Sequence, residues 1–144
     1  MISTESLILV DSNILIYSLD DVSPKYGVAK RFLEEKSFNL ILSQQALLET
    51  FRVITHKVYP NTYTPLKALT SLVSIYSQRA IVHPRENTFN LTQKLIKKHG
   101  ISSDKVFDAY MVATAVDWGI GIVATDNEKD FRKFGEIKVF NPFK

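Results

Sequence analysis

The fold is decided by the stretch Leu7-Ile8-Leu9-Val10-Asp11-Ser12-Asn13. Its first four residues are consecutive aliphatics, a run that is too short for a buried helix and typical of a strand covered on both faces. The run ends at Asp11, and Ser12 and Asn13 are residue types that begin a new element. We therefore predict a buried strand with a carboxylate at its carboxyl end, where open α/β sheets build their sites.

Similar aliphatic runs recur along the chain and alternate with segments of helical periodicity. The further predicted strands are residues 40–42, 80–82, 121–124 and 137–139, and the predicted helices are residues 12–19, 24–35, 44–59, 65–76, 86–99 and 105–118, with a short one around 130–131. This alternation indicates a mostly parallel sheet with helices on both faces. We predict a single α/β domain over residues 1–144, a three-layer α/β/α sandwich with four to five strands.

The composition of the 144 residues excludes several classes of protein. The chain has no cysteine, which rules out disulfides and thiolate metal sites. No apolar run approaches the ~20 residues that cross a bilayer, and the first residues do not resemble a signal peptide. We therefore expect a soluble, cytoplasmic protein with no membrane association. The net charge of +3 permits a polyanionic partner but does not demonstrate one.

Four carboxylates occupy comparable places in the predicted fold. Asp11 follows the first strand, Glu49 lies about one and a half turns into the helix after the second strand, Asp108 lies early in a nearly all-apolar helix, and Asp126 follows the strand at 121–124. Because right-handed crossovers bring the carboxyl ends of parallel strands to one edge, all four are expected at the same rim. Each alone has a simpler explanation as a cap, a helix-start acid or a solvated charge.

Several carboxylates at one rim predict a bound cation. Their mutual repulsion is tolerable only if their pKa values rise or a divalent ion neutralises them. Oxygen ligands without any cysteine favour Mg²⁺ or Mn²⁺ over zinc. A divalent ion held by acids in an open cleft suits the hydrolysis of a phosphodiester.

The blocks around these acids resemble the PIN-domain ribonucleases, and most closely the VapC toxins of toxin–antitoxin operons. The resemblance extends over essentially the whole chain, with the blocks in the order of the family. The blocks are Val10-Asp11-Ser12-Asn13-Ile14-Leu15, Leu47-Leu48-Glu49-Thr50-Phe51, the segment 106–115 around Asp108, the segment Ala124-Thr125-Asp126-Asn127 with its continuation to Phe131, and the closing Val139-Phe140-Asn141-Pro142.

The resemblance implies a Mg²⁺- or Mn²⁺-dependent endoribonuclease that cleaves structured RNA, such as transfer or ribosomal RNA, leaving a 5′-phosphate and a 3′-hydroxyl. It also implies a homodimer that a cognate antitoxin protein inhibits. Carried over residue by residue, the catalytic and metal-binding set is Asp11, Glu49, Asp108 and Asp126. The residues that would orient these acids are Asn13 and Thr125, and Asn127 is either another of them or the alternative fourth ligand.

Other families with an aspartate after the first strand fit less well. Phosphatases that form an aspartyl-phosphate need a second acid where this chain has Asn13, and receiver domains need paired acids there and a lysine after a late strand. Two alternatives stay open within the PIN resemblance. One is a nuclease of RNA processing or decay without an antitoxin, and the other is an RNA-binding module that has no catalytic activity.

Overall fold

A computed structural model describes residues 5–144. The strands are β1 (Leu7–Val10), β2 (Asn39–Ser43), β3 (Ala80–Val82), β4 (Ile122–Ala124) and β5 (Lys138–Phe140). The helices are α1 (Ser12–Ser18), α2 (Tyr26–Glu34), α3 (Gln44–Ile54), α4 (Pro65–Tyr76), α5 (Thr88–His99), α6 (Val106–Asp117) and α7 (Glu128–Phe131), with a 3-10 turn at Ser103–Lys105. Within this part of the chain, no helix has the length and apolar character needed to cross a membrane.

The five strands form one sheet in the order β3-β2-β1-β4-β5, and every neighbouring pair is parallel. Strand β1 is central, and its residues Ile8, Leu9 and Val10 are completely buried. A strand without a solvated face requires the unbroken aliphatic run seen in the sequence. The predicted α/β class, the parallel sheet and its number of strands are confirmed.

The order of the strands places a crevice beside β1. The chain moves outward from β1 to β2 and β3, then returns across the sheet to β4 and β5. Right-handed crossovers therefore put α1–α4 on one face and α5–α6 on the other. Helix α1 accordingly packs against α2 and α3, and α5 packs against α6. The direction reverses between β1 and β4, and such a switch point opens a crevice at the carboxyl ends of the strands.

The pairing of β1 with β4 brings two distant parts of the chain together at this crevice. Val10 lies opposite Ala124, so the next residues along, Asp11 and Thr125, are neighbours. The Asp11 amide donates to the carbonyl oxygen of Ala124 at 2.9 Å, which extends the ladder by one bond. The Thr125 amide donates in the same way to Phe140 of β5 at 2.9 Å. The last hydrogen bonds of the sheet thus fix the backbone of the site.

Helix α3 is shorter than predicted, ending at Ile54 instead of Tyr59. The carbonyl oxygen of Ile54 accepts a hydrogen bond from the Tyr63 amide at 2.9 Å, which reverses the chain. Tyr59 is buried, and its hydroxyl donates to the carbonyl oxygen of Ile16 in α1 at 3.2 Å. Val58, which lies within the predicted helix, is 77% exposed. The chain after Ile54 therefore forms a turn, of which Tyr59 packs on α1 and Val58 faces solvent.

Three predicted helix starts differ from the structure. Helix α2 begins at Tyr26 because Ser23 and Pro24 form a turn, in which the Ser23 hydroxyl accepts from the Lys25 amide at 3.1 Å. Helix α5 begins at Thr88, two residues later than predicted, and α6 begins at Val106 because Ser103–Lys105 form a 3-10 turn. Helix α4 begins at Pro65 as predicted, and the Thr64 hydroxyl caps it by accepting from the Lys67 amide at 3.2 Å.

Candidate active site at the carboxyl edge of the sheet

Asp11 is fixed by hydrogen bonds to both of its carboxylate oxygens. Its Oδ1 accepts from the Ser12 amide at 2.8 Å. Its Oδ2 accepts from the Thr125 hydroxyl at 2.7 Å and from the Asn13 side-chain amide at 3.2 Å. The Asn13 amide also lies 3.1 Å from the Thr125 hydroxyl oxygen. The two residues expected to orient the acids therefore both contact Asp11.

Burial controls the ionisation of Asp11. The side chain is almost completely buried, and this burial raises the pKa of its carboxyl to about 6. The hydrogen bonds from Thr125 and Ser12 oppose the rise, because they stabilise the carboxylate. The negative charge of Glu49 adds to the rise. Asp11 is thus a carboxylate whose charge the protein does not neutralise by itself.

Glu49 comes from α3, on the helical face that points to the crevice. Burial raises its pKa, and the charge of Asp108 raises it further. Hydrogen bonding from the side chains of Gln45 and Ser12, together with the charge of Arg52, acts in the opposite direction. Glu49 is therefore partly buried and lies within electrostatic reach of acids on two other elements.

Asp108 lies in the first turn of α6, whose following residues Ala109 and Met111–Ala115 are buried. Burial raises the pKa of the Asp108 carboxyl to about 6, and the charges of Asp11 and Asp130 contribute to the rise. Lys105 and Lys133 oppose it. Because the apolar residues of α6 are packed in the core, the orientation of this helix is fixed and Asp108 is held at the crevice.

The structure therefore brings three of the predicted acids, Asp11, Glu49 and Asp108, into one electrostatic group. Within residues 5–144, no three acidic or histidine side chains stand close enough together to form a finished metal site. The donors still suit Mg²⁺ or Mn²⁺, since all are carboxylates and burial disfavours their negative charge. A divalent ion would relieve the repulsion that raises their pKa values.

Asp126 does not join this group. Its Oδ2 is paired with the ammonium of Lys25 and accepts from the Tyr17 hydroxyl at 3.3 Å, and its Oδ1 accepts from the Asn141 amide at 3.3 Å. Burial alone would raise its pKa, but the hydrogen bonds from Lys25 and Asn141 outweigh burial and the pKa is lowered. The carboxylate is thus already neutralised by the loop before α2.

Asn127 and Asp130 lie on the side of the crevice nearer to Asp108. The Asn127 side-chain amide donates to Asp130 Oδ2 at 2.7 Å, and the same oxygen pairs with the ammonium of Lys105. The Asn127 backbone amide donates to the Thr125 hydroxyl at 2.9 Å, which ties this loop to Asp11 through Thr125. Asn127 is therefore linked to the carboxylate group by two routes, whereas Asp126 is turned toward Lys25.

Two polar residues of the site were not predicted from the sequence. The Ser12 backbone amide donates to Asp11 Oδ1 at 2.8 Å, and hydrogen bonding from its side chain lowers the pKa values of Asp11 and Glu49. Its position directly after Asp11 was the signal, but a cap residue was the simpler interpretation. Gln45 in α3 donates from Nε2 to the carbonyl oxygen of Phe107 at 3.0 Å. No pattern in one sequence singles out such a glutamine among the polar residues of a helix start.

Comparison with family models gives one decisive result: the model of the PIN domain matches residues 8–137. The chain belongs to the PIN domain family. This PIN domain match covers β1 through the segment before β5, and it confirms the family resemblance found in the blocks around the four acids. A comparison with curated proteins gives no match.

Solved structures share the fold of this PIN domain at low sequence identity. VapC20 of Mycobacterium tuberculosis, described as a toxin that cleaves the sarcin–ricin loop, is 18% identical with a TM-score of 0.68, covering 91% of this chain and 98% of its own. VapBC2 of Rickettsia felis, bound to a promoter DNA fragment, is 15% identical with a TM-score of 0.70, covering 94% and 98%. A toxin–antitoxin complex of Klebsiella pneumoniae is 22% identical with a TM-score of 0.67, covering 95% and 98%.

Proposed function

We propose that this protein is a Mg²⁺- or Mn²⁺-dependent endoribonuclease that cleaves structured RNA and acts as a VapC-like toxin. The observation that carries the proposal is the group of Asp11, Glu49 and Asp108, which come from β1, α3 and α6. Their pKa values are raised by burial first and, in each case, by the charge of another acid of the group. Membership of the PIN family and the fold shared with VapC structures support it.

Asp11, Glu49 and Asp108 would hold the ion. Bound there, a divalent cation supplies a Lewis acid for the phosphodiester and lowers the pKa of water. Asp11 is the most rigidly placed of the three, because Ser12, Asn13 and Thr125 fix both of its oxygens. Neither a histidine nor a covalent nucleophile is needed in this scheme.

The fourth position is proposed for Asp126, with Asn127 as the alternative. Asp126 would have to exchange the ammonium of Lys25 for the ion. Asn127 has no such ion pair and is linked through Thr125 to Asp11. Separate alanine substitutions distinguish them, because only the residue that contacts the ion should weaken its binding by tenfold or more when removed.

We also propose a cognate antitoxin and a homodimer as partners. Four of the similar structures are described as VapBC or toxin–antitoxin complexes. An apolar surface on α3 and α4 is available for an interface, since Leu48, Leu66, Leu69 and Val73 are between 47% and 75% exposed. Large exposed apolar patches mark interaction sites in soluble proteins. RNA is the substrate we propose for the carboxylate-bearing crevice.

The test is cleavage of a structured RNA by the purified protein, with the 5′-phosphate ends mapped. Cleavage is expected with Mg²⁺ or Mn²⁺ and not in EDTA. The variant Asp11→Asn should retain its thermal transition and lose cleavage, as well as any inhibition of growth on expression. Full activity of Asp11→Asn, or cleavage that is unaffected by chelation, would overturn the proposal.

The same experiment separates the alternatives. A nuclease of RNA processing would cleave RNA but would not co-purify with a small protein encoded beside it. An RNA-binding module that is not catalytic would bind RNA without metal-dependent cleavage. Expression together with the neighbouring open reading frame, followed by affinity purification, therefore tests the antitoxin independently of the chemistry.

A further inference from the structure

One glutamine connects two of the three elements that carry the carboxylate group. Gln45 lies in the first turn of α3, four residues before Glu49, and its Nε2 donates to the carbonyl oxygen of Phe107 at 3.0 Å. Phe107 directly precedes Asp108 in α6. Glu49 lies one turn further along α3, and hydrogen bonding from the Gln45 side chain lowers the pKa of its carboxyl. The bond from Gln45 to Phe107 therefore ties the turn of α3 that precedes Glu49 to the backbone beside Asp108.

This link matters because α3 and α6 pack mainly against other elements. Helix α3 packs on α1, α4 and β2, whereas α6 packs on α5, β4 and the 3-10 turn before it. Helix α3 lies in the crossover that runs outward from β2 to β3, and α6 lies in the crossover that returns from β3 to β4. The bond from Gln45 to Phe107 is a direct polar connection between them, one turn before Glu49 on α3 and one residue before Asp108 on α6.

The oxygen of the same side chain is left without a partner. Gln45 Oε1 is buried and accepts no hydrogen bond from any residue that the structure describes. An unsatisfied buried acceptor costs stability, and an apolar side chain of similar length would avoid that cost. Gln45 is therefore poorly explained as a stabilising residue. The group that it uses is its Nε2 amide, which donates to the residue directly before Asp108.

We propose that Gln45 is a positioning residue that sets the separation of Glu49 and Asp108 so that both can reach one divalent ion. This inference rests on the proposed metal-dependent function and assigns a role that the family resemblance did not supply. Partners that orient metal ligands typically contribute roughly 10- to 100-fold to metal affinity. The loss of Gln45 should therefore weaken ion binding, while the apparent stability of the protein stays the same or rises.

The experiment compares Gln45→Met with Gln44→Met, using Mn²⁺ itself as the probe. Gln44 is the exposed neighbour in the same turn of α3 and controls for the substitution. Titration calorimetry measures the Kd for Mn²⁺, and thermal melts in EDTA measure stability. We expect Gln45→Met to raise the Kd at least tenfold without lowering Tm, and Gln44→Met to leave both unchanged. With RNA, kcat should fall and KM should not change.

The outcomes separate this inference from the proposed function. A wild-type Kd in Gln45→Met would overturn the role of Gln45 and leave the nuclease proposal intact. The absence of Mn²⁺ binding in the wild type and in Gln44→Met would overturn both. If Gln45→Met does not fold, Gln45→Asn provides the test, because its side chain is one methylene shorter and withdraws the amide from the Phe107 carbonyl oxygen. Mn²⁺ binding by Gln45→Asn with wild-type affinity would then count against the inference.

Discussion

Replacing Asp108 by asparagine should stabilise the metal-free protein at neutral pH. A carboxyl whose pKa is higher in the folded state than in the unfolded chain binds its proton more tightly when folded. The folded state therefore loses stability as the pH rises from the usual carboxyl pKa to the raised one. Above the raised pKa, the buried carboxylate destabilises the folded state by the full amount, and asparagine removes this destabilisation. None of the hydrogen bonds described for the site involves the Asp108 side chain, so the substitution breaks none of them.

The size of the stabilisation by Asp108→Asn follows from the shift in the pKa of the Asp108 carboxyl. The pKa of Asp108 rises from 3.8 to about 6, and about 2 pH units correspond to about 3 kcal/mol at ~1.36 kcal/mol per unit. Because Asp108 is only partly buried, solvent screening reduces this to about 2 kcal/mol. For a domain of this size, that free energy raises Tm by roughly 4–8 °C. The increase should be seen at pH 7.5 and disappear near pH 4.

The assay is a thermal melt in EDTA at both pH values, with Asp104→Asn as the control, since Asp104 is exposed in the turn before α6. Adding Mn²⁺ at pH 7.5 should raise the Tm of wild type above that of Asp108→Asn. Wild type would gain ~2.7 kcal/mol at a hundredfold excess over its Kd, and Asp108→Asn would gain little. A Tm for Asp108→Asn in EDTA that is equal to or below wild type at pH 7.5 would refute the reasoning.

Three further perturbations test individual contacts. Thr125→Val removes the hydroxyl that bonds Asp11, and should lower the free energy of unfolding by about 2 kcal/mol in urea titrations. Thr125→Ser keeps the hydroxyl and should lose only the roughly 0.8 kcal/mol of one buried methyl group. Lys25→Met should raise the pKa of Asp126, as followed by carboxyl ¹³C NMR, and a change in the titration of Asp11 instead would contradict the separation of the two sites. Leu69→Glu places a charge on the exposed α3–α4 surface, and sedimentation should then show a monomer in place of the proposed homodimer.

The sheet could be predicted because its strands are recognisable from local sequence. A fully buried parallel strand must be aliphatic on both faces, so a run such as Leu7–Val10 is identified without knowledge of its neighbours. The positions of Asp11, Glu49 and Asp108 follow from the same logic, since the end of a strand and the start of a helix are fixed by the topology. Their meeting at one crevice needed only the handedness of the crossovers.

The partner of Asp126 could not be predicted, because it depends on a loop that sequence patterns do not place. Lys25 reaches Asp126 from the turn before α2, across 101 residues of sequence. The predicted end of α3 was wrong for a similar reason. Val58 and Tyr59 continue an apolar pattern, but the contact of Tyr59 with Ile16 decides its conformation. Tertiary contacts of single side chains override local periodicity in both cases.

We propose that acids from β1, α3 and α6 bind one divalent ion at the carboxyl edge of the sheet. Crystals grown with Mn²⁺ and measured at a wavelength where manganese scatters anomalously would locate such an ion. An anomalous peak contacted by Asp11, Glu49 and Asp108 is expected. Well-ordered crystals with no peak there, or with a peak bound only by residues outside this group, would contradict it.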